Sequence, residues 1–277
     1  MLFTFLKHNE WFKGDLLIIH DDLEPASQKE LRKLFPVEFL EINQALRDKV
    51  KSLVTYYPQI GNREKRFWSL QAFALNRYTQ VLFLDSDTLC TGSLKSIFEQ
   101  DYSFAACHDA ISSKGLGRDR LSFASVAHPD GQAHYSATFN AGFMLFSPKQ
   151  LGSNTFHDLL LLLNAETFKT VVTGHTDQFL LNKHFESKLS WLPSTYNHLI
   201  GKMDFEAEIN DQVRIWHFIR HPKPWKWKAL IKGTLRRNND PTLRLWHYYY
   251  RCVKKAEIKH GSMSSIGKWL LSKLLAG

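Results

Sequence analysis

The 277-residue chain has few cysteines, no long apolar run and no internal repeat. Its three cysteines, Cys90, Cys107 and Cys252, lie far apart and include no Cys-x-x-Cys pair, so the sequence indicates neither a disulfide framework nor a zinc site. The longest uninterrupted apolar run covers only residues 159–163, whereas a bilayer requires about 20 residues. These absences predict a protein of a reducing compartment, the cytoplasm, without a transmembrane segment.

An excess of basic charge is also absent from most of the chain. Residues 220–277 contain 14 Lys and Arg against 2 Asp and Glu, whereas residues 1–219 contain 22 against 25. This distribution argues against a nucleic-acid-binding protein that is basic throughout, and it favours a local basic surface for phosphate or for a membrane. Global disorder is excluded by the 20 Phe, 8 Trp and 9 Tyr residues.

Short apolar runs alternate with segments of helical period along the first 230 residues. Residues 16–19 and 81–84 have the character of buried strands, whereas Phe67, Leu70 and Ala74 form one stripe at helical spacing. Further strands are predicted at 37–42, 103–107, 142–146 and 213–218, and further helices at 26–34, 151–164 and 176–185. The alternation predicts an α/β fold with a mainly parallel sheet, and residues 110–138 are typical of a long functional or disordered loop.

An acidic pair, Asp85 and Asp87, directly follows the apolar run 81–84. Ligands of open α/β sheets bind beyond the carboxyl ends of the strands, and two carboxylates there can converge on a divalent cation that also binds phosphate oxygens. An aspartate that caps the next helix is the simpler alternative. A strand followed by Asp-x-Asp-x-Thr/Val also marks aspartyl-phosphate hydrolases of the haloacid dehalogenase type, but Leu89 occupies the Thr/Val position here.

Four further segments accompany the acidic pair along the chain. They are Arg63-Glu64-Lys65-Arg66-Phe67, Phe139-Asn140-Ala141-Gly142, Thr176-Asp177-Gln178 with Leu181-Asn182, and His217-Phe218 with Lys223-Pro224-Trp225. In this order and spacing, residues 2–225 resemble family 8 of the retaining glycosyltransferases, which includes glycogenins and bacterial lipooligosaccharide galactosyltransferases. The resemblance implies a GT-A fold, a Rossmann-like mixed, mainly parallel sheet flanked by helices. It also implies a UDP-sugar donor and a manganese ion, with Mg²⁺ as the alternative.

The resemblance also implies a role for individual residues. Asp85, Asp87 and His217 match the metal ligands, and a mixed set of oxygen and imidazole ligands suits Mn²⁺ better than Mg²⁺. Positions matching those that contact the donor phosphates are Lys65 or Arg66, Ser86 within the acidic turn, and Lys223. Positions matching those that hold the donor sugar are Asp109, Asn140, Gly142, Asp177 and Gln178. A surface lysine, a solvated helix face and an acidic helix N-terminus are the structural alternatives for Lys223, for Lys65 and Arg66, and for Asp177.

Two departures from the family pattern affect these assignments. Residues 1–6 resemble the helix that follows the family's first strand, so that strand has no counterpart here and contacts to the nucleobase are not assigned. Arg220 occupies a position where the family commonly has glycine near the diphosphate. It either blocks close approach of the backbone or adds a cation to the phosphate site.

The resemblance implies transfer of a hexose, from UDP-Gal or UDP-Glc, to a glycan or glycolipid acceptor with retention at the anomeric carbon. Asp177 and Gln178 are the candidate catalytic residues, and because glutamine is a poor nucleophile, attack from the face of the leaving group is favoured. Lipopolysaccharide or capsule assembly is the expected setting. A catalytically degenerate sugar- or nucleotide-binding homologue is the alternative, and the aspartyl-phosphate phosphatase is the third hypothesis.

The basic end of the chain, residues 231–277, is predicted to be a helical tail outside the glycosyltransferase domain, residues 1–230. Aromatic residues are interspersed with its lysines and arginines, and residues 266–275 have the pattern of a short amphipathic helix. This composition suits an anionic lipid surface and predicts a cytoplasmic protein attached peripherally to the inner face of a membrane. A charged helix that packs its aromatic side chains on the body is the alternative.

Overall fold

The computed structural model describes residues 1–109, 138–169, 176–185, 187–200, 212–219, 223–226 and 241–259. The strands there are β1 Leu16–His20, β2 Val37–Glu41, β3 Val81–Leu84, β4 Thr88–Cys90, β5 Phe104–His108, β6 Phe139–Phe146, β7 Leu189–Leu192, β8 His198–Leu199 and β9 Ile215–His217. The α-helices are α1 Leu2–His8, α2 Pro25–Leu34, α3 Gln44–Tyr56, α4 Lys95–Phe98, α5 Pro148–Leu151, α6 Thr155–Leu162, α7 Ala165–Phe168, α8 Asp177–Phe185 and α9 Pro241–Lys259, and Pro58–Ala74 and Ser194–Tyr196 are 3₁₀-helical. Residues 110–137, Arg220 and residues 266–275, to which predictions were attached, lie outside the described residues.

The strands form mixed sheets flanked by helices. The largest sheet has the order β3-β6-β5-β7, in which β6 runs antiparallel to both β3 and β5, and β5 runs parallel to β7. β1 pairs with β2 in parallel, and β9 pairs antiparallel with β4 and parallel with β8. Three of these six pairs are parallel and three are antiparallel, so the sheets of the described residues are mixed and not mainly parallel as predicted. Nearly every residue of β6 is buried, and such a continuous apolar run is typical of a parallel strand although it does not determine strand direction.

β6 lies at the centre of the core because its side chains alternate between two hydrophobic clusters. Met144 and Phe146 belong to the cluster on one face of the sheet, and Phe143 and Leu145 to the cluster on the other. This alternation follows from the two-residue period of a strand. Stacked phenyl rings fill the first cluster, where the ring centroid of Phe104 lies 4.2 Å from that of Phe185. The core thus fixes the carboxyl end of β3, which pairs with β6.

Strand pairing brings the candidate metal ligands together from distant parts of the chain. β3 ends at Leu84, and the N–H of Asp85 donates to the carbonyl oxygen of Gly142 in β6 over 2.9 Å. β4 resumes at Thr88, directly opposite His217 in the antiparallel pair β4–β9. The N–H of Phe218 then donates to the carbonyl oxygen of Asp87 over 2.9 Å. The acidic turn is therefore held between β6 and β9.

A large cavity separates β1 from β3, which are not paired with each other in the described part of the chain. Its volume is about 1530 Å³, and apolar side chains of both strands line it. Tyr78, whose hydroxyl donates to Asp15 Oδ2 over 2.7 Å, also lines the cavity, as do Asp85 and Asp87. Within the described residues no strand fills this space, and the missing first strand stays a prediction.

The helix α9, which lies in the predicted tail, packs on the body. Tyr249 is buried in a third hydrophobic cluster with Trp216 and Phe218, and its hydroxyl lies 2.8 Å from Nε2 of His8 in α1. The alternative of a helix that packs its aromatic residues on the body therefore describes this part of the basic end. None of the described helices combines the length and the apolar character that crossing a bilayer requires.

Candidate active site

Asp85, Asp87 and His217 form a compact group of ligand atoms at the carboxyl end of β3. One atom from each side chain lies within 4.8 Å of the others. Nε2 of His217 is 3.0 Å from Asp87 Oδ1 and 3.5 Å from Asp85 Oδ2. Two carboxylates and one imidazole are a set of ligands that divalent transition metals accept. The three side chains therefore fit the metal site that the sequence predicts.

The two aspartates of this group have opposite electrostatic environments. Burial raises the pKa of the Asp85 carboxyl to about 6, and the neighbouring charges of Asp87 and Asp177 contribute to the rise against the opposing effect of His217 and Lys223. Burial acts on Asp87 in the same sense, but the neighbouring His217 and the hydrogen-bonded Lys223 ammonium outweigh it and hold the pKa of Asp87 at about 2. Asp85 is thus the carboxylate that gains most from a bound cation.

Gly142 in β6 makes room for the ligand side chains. A Cβ atom at this position would lie 2.3 Å from Cε1 of His217 and 2.8 Å from Oδ2 of Asp85, both far inside van der Waals contact. The sequence prediction assigned Gly142 to close approach of the donor. In the structure, His217 and Asp85 are the groups that occupy the space beside it, so a glycine is required here by the metal ligands themselves.

Lys223 lies beside the acidic pair. Its ammonium group donates to Asp87 Oδ2 and to the carbonyl oxygen of Phe218. This position brings a positive charge to the candidate metal site, as the prediction of a phosphate-contacting lysine requires. The contact to the diphosphate itself stays a prediction.

Asp177 and Gln178 begin α8 and face the same cavity. Asp177 is buried, and it accepts hydrogen bonds from the Ser69 hydroxyl (2.9 Å) and the Thr176 hydroxyl (3.2 Å). Burial raises the pKa of Asp177, against the opposing effects of Ser69 and Arg66. Nε2 of Gln178 is buried and has no hydrogen-bond partner among the described residues. Because a buried unpaired donor is costly, this amide indicates a site for a ligand acceptor group.

The two basic residues of the 3₁₀ segment Pro58–Ala74 have different surroundings. Lys65 pairs with the carboxylate of Asp22, over 2.7 Å, and lies 3.9 Å from that of Asp21, just beyond β1. Arg66 acts electrostatically on Asp177. Both residues line the cavity, but Arg66 is the one whose charge acts inside the predicted sugar site.

All the predicted site residues in the described part of the chain line one cavity. They are Lys65, Arg66, Asp85, Ser86, Asp87, Asp109, Asn140, Gly142, Asp177, Gln178, His217 and Lys223. Sequence reasoning missed Ser69, which binds Asp177, and Asn197, which binds both His217 and Asn140. Neither residue stands in a motif, so no local pattern could have indicated them.

Similar solved structures show the fold. The galactosyltransferase LgtC, in a complex with donor and acceptor sugar analogues, matches 81% of this chain and 83% of its own with a TM-score of 0.56 and 16% identity. The bifunctional glycosyltransferase WbbM matches 82% of this chain and 44% of its own with a TM-score of 0.56 and 19% identity. The fold is therefore that of the GT-A glycosyltransferases, as predicted.

Sequence comparison then gives the family. The family described as glycosyl transferase family 8 matches residues 2–229, so the chain belongs to this family. The predictions of family and of enzyme class are thereby confirmed.

Three relatives with curated names are bacterial glycosyltransferases. Glycosyltransferase GlyE of Streptococcus pneumoniae is 27% identical over 77% of this chain and 56% of its own length. GlyF of the same organism is 28% identical over 83% of this chain and 54% of its own. The lipopolysaccharide 1,2-glucosyltransferase of Escherichia coli is 28% identical over 66% of this chain and 56% of its own. The chain thus spans little more than half the length of these relatives.

Proposed function

We propose that the protein transfers a hexose from a UDP-sugar, UDP-Gal or UDP-Glc, to a glycan acceptor with retention at the anomeric carbon. The observation that carries the proposal is the group of Asp85, Asp87 and His217 in the lining of a cavity of about 1530 Å³. A divalent cation bound there, Mn²⁺ in preference to Mg²⁺, would support the departure of the nucleoside diphosphate as a Lewis acid. Membership of family 8 supports the choice of a nucleotide-sugar donor.

The side chains of the protein support this reaction by position and charge. Lys223 adds an ammonium group on the side of Asp87, where it would stabilise negative charge on the leaving diphosphate. The unpaired Nε2 of Gln178 would donate to an oxygen of the donor sugar. Both carboxylate oxygens of Asp177 already accept hydrogen bonds from Ser69 and Thr176, which makes a nucleophilic role for Asp177 less favourable. The arrangement supports attack from the face of the leaving group.

The acceptor would be a growing glycan or glycolipid at the inner face of a membrane. The named activity of the Escherichia coli relative supports lipopolysaccharide as the acceptor class, and capsule is the alternative. On α9, Tyr248 and Arg251 stand one helical turn apart and are both exposed, 51% in the case of Tyr248. An aromatic ring and a guanidinium on one face suit the interface of an anionic membrane. The protein would thus be cytoplasmic and peripherally attached.

The proposal is tested by UDP release and sugar transfer with UDP-Gal and UDP-Glc, in the presence of Mn²⁺ and of an excess of chelator. Asp85→Ala should lower metal-dependent turnover by about 100-fold or more, because it removes a ligand of the group that stabilises the leaving diphosphate. Asp48→Ala changes an exposed carboxylate on α3 and provides the control. Full turnover of the wild-type protein with all divalent metal chelated would contradict the proposal.

A second candidate function is nucleotide or sugar binding without turnover. The open cavity between β1 and β3 favours it, because this apolar space lies beside the site where the nucleotide would bind. Calorimetry with UDP and Mn²⁺, followed by a prolonged assay for donor hydrolysis, separates the two candidates. Tight UDP binding without hydrolysis or transfer would support the binding protein.

A further inference from the structure

Asn197 occupies a buried position between the candidate metal ligand and the predicted sugar site. It follows the 3₁₀ turn Ser194–Tyr196 and has no exposed surface. Its side-chain oxygen lies 3.0 Å from Nδ1 of His217, and its side-chain nitrogen donates to Asn140 Oδ1 over 3.0 Å. Asn140 Nδ2 in turn lies 3.3 Å from Gln178 Oε1. These four side chains form one continuous chain of hydrogen bonds.

Backbone donors of β6 determine the direction of every bond in this chain. The N–H of Gly142 donates to Asn140 Oδ1 over 3.1 Å, and the N–H of Ala141 donates to Gln178 Oε1 over 3.3 Å. A backbone N–H can only donate, so both side-chain positions must be oxygen atoms. The nitrogen of Asn140 therefore faces Gln178 and donates to it.

The fixed orientation of Asn140 also sets the tautomer of His217. Because Asn140 presents its oxygen to Asn197, the group of Asn197 that meets it must be the amide nitrogen. The oxygen of Asn197 then faces Nδ1 of His217, which must carry a proton to donate to it. The lone pair of a neutral imidazole is thereby left on Nε2, the atom 3.0 Å from Asp87 Oδ1 and 3.5 Å from Asp85 Oδ2. A lone pair that faces two carboxylates is stabilised by a cation placed among the three.

The other end of the chain lies at the predicted sugar site. Gln178 lines the cavity and uses its oxygen for Ala141 and Asn140, so its amide nitrogen is the end of the chain. This nitrogen is buried and has no partner among the described residues. The direction of the hydrogen bonds from His217 to Gln178 thus leaves the amide N–H of Gln178 as a donor for the ligand.

We propose that Asn197 is a positioning residue that couples the metal site to the donor-sugar site through this one-directional hydrogen-bond chain. Asn197 holds His217 in the tautomer that offers Nε2 to the cation, and it holds Asn140 so that Gln178 presents N–H to the sugar. The inference rests on the proposed function for the identity of the sugar ligand. Its first part concerns metal binding by the protein alone and is tested without turnover.

The first experiment titrates Mn²⁺ alone into the protein and follows binding by calorimetry or by electron paramagnetic resonance. Asn197→Ala removes the acceptor of His217 Nδ1, so we expect Mn²⁺ affinity to fall by 10- to 100-fold, the usual effect of removing a group that orients a metal ligand. Asn9→Ala is the matched control, because Asn9 is equally buried and its side chain bonds Phe5, Cys90 and Leu94 but no member of the four-residue chain. This control should lower stability and leave Mn²⁺ affinity unchanged.

The second experiment separates the two ends of the chain. Asn197→Asp keeps an oxygen for His217 Nδ1 but replaces the donor to Asn140 by a second oxygen. We expect the Mn²⁺ affinity of this variant to lie within about threefold of wild type. The ratio of its affinity for UDP-sugar to its affinity for UDP should fall by at least tenfold, because the orientation of Asn140 and Gln178 is no longer enforced.

Three outcomes would overturn the inference. They are wild-type Mn²⁺ affinity in Asn197→Ala, an equal loss of affinity in Asn9→Ala, and no Mn²⁺ binding by the wild-type protein. The proposed function can fail separately. If the Asn197 variants show the expected effects on Mn²⁺ and UDP-sugar binding but the protein neither transfers nor hydrolyses the donor, the coupling holds and the transferase activity is contradicted.

Discussion

Asp85 and Asp87 stand one residue apart, yet their pKa values move in opposite directions. Asp87 is stabilised as the anion because the Lys223 ammonium donates to it and the His217 imidazole lies beside it. For Asp85 the opposing effect of His217 is smaller than that of burial, and the charges of Asp87 and Asp177 add to burial, which brings its pKa to about 6. The ionised pair is therefore strained at neutral pH in the absence of a cation. A cation bound between the two carboxylates would relieve this repulsion, as expected of a metal site.

Replacing Asp85 by Asn should stabilise the metal-free protein at neutral pH. The pKa of Asp85 rises from 3.8 in the unfolded chain to about 6 in the folded protein, so well below pH 3.8 the group is protonated in both states and does not affect stability. Between pH 4 and 6 the folded protein increasingly opposes ionisation, and the full penalty is present above pH 6. Since 45% of the side chain is accessible, solvent screening reduces the gain to about 1 kcal/mol.

Chemical denaturation between pH 4 and 8 in the presence of chelator measures this effect. The difference between Asp85→Asn and wild type should grow from near zero at pH 4 to a constant value above pH 6. Adding Mn²⁺ should then stabilise wild type and leave the variant unchanged. Asp48→Asn, which removes an exposed carboxylate, is the control. A variant that is less stable than wild type throughout this range would rule out the proposed strain.

At the residue scale, the sequence predicts the groups that contact the ligand better than the groups that orient them. Asp85, Asp87 and His217 belong to motifs, and they meet in the structure as predicted. Ser69 and Asn197 act on partners 108 and 20 positions away along the chain. Their roles arise from tertiary contacts alone, and a serine or an asparagine outside a motif carries no signal of such a contact.

At the element scale, apolar runs predict where strands lie but not how they pair. β3, β5 and β6 all coincide with predicted apolar segments, whereas the antiparallel insertion of β6 between β3 and β5 is not visible in the pattern. The three-residue pair β4–β9 could not be predicted either, although it is the element that places His217 opposite Thr88. Its strands are too short to show a period, and their pairing depends on closing a loop of more than 120 residues.

Gly142→Ala tests whether β6 must leave space for the metal ligands. The added Cβ would lie 2.3 Å from His217 and 2.8 Å from Asp85, in a strand that is fixed on both sides. We expect His217 to be displaced, Mn²⁺ affinity to fall by at least tenfold, and the free energy of unfolding to fall by about 1–3 kcal/mol, as overpacking usually costs.

Gly61→Ala is the comparison for this substitution. Its added Cβ would meet a methyl group of Val54 at 3.2 Å and no candidate site residue within 4 Å. It should change stability by a smaller amount and leave Mn²⁺ affinity as in wild type. Binding of Mn²⁺ to Gly142→Ala with wild-type affinity would mean that His217 does not need the position it occupies.

At the scale of the whole molecule, the basic segment 220–277 contains parts with different roles. Lys223 belongs to the candidate active site, where it pairs with Asp87. In α9, Tyr249 is buried against the body, whereas Tyr248 and Arg251 remain exposed on the outer side of the helix. The described part of the basic tail is therefore a helix that packs on the body and exposes an aromatic and a basic side chain, Tyr248 and Arg251, on one face.

This face provides the test of membrane attachment, because deletion of the whole end would also remove Tyr249 from its hydrophobic cluster. The double substitution Tyr248→Ser and Arg251→Ser changes only exposed positions. Each cation near an anionic surface contributes about 1 kcal/mol, so we expect at least fivefold weaker binding to phosphatidylglycerol-containing vesicles and little change with pure phosphatidylcholine. Tyr249→Phe, which loses the hydroxyl contact to His8, should affect stability but not vesicle binding. If the double variant co-sediments with anionic vesicles as wild type does, this face is not the attachment surface.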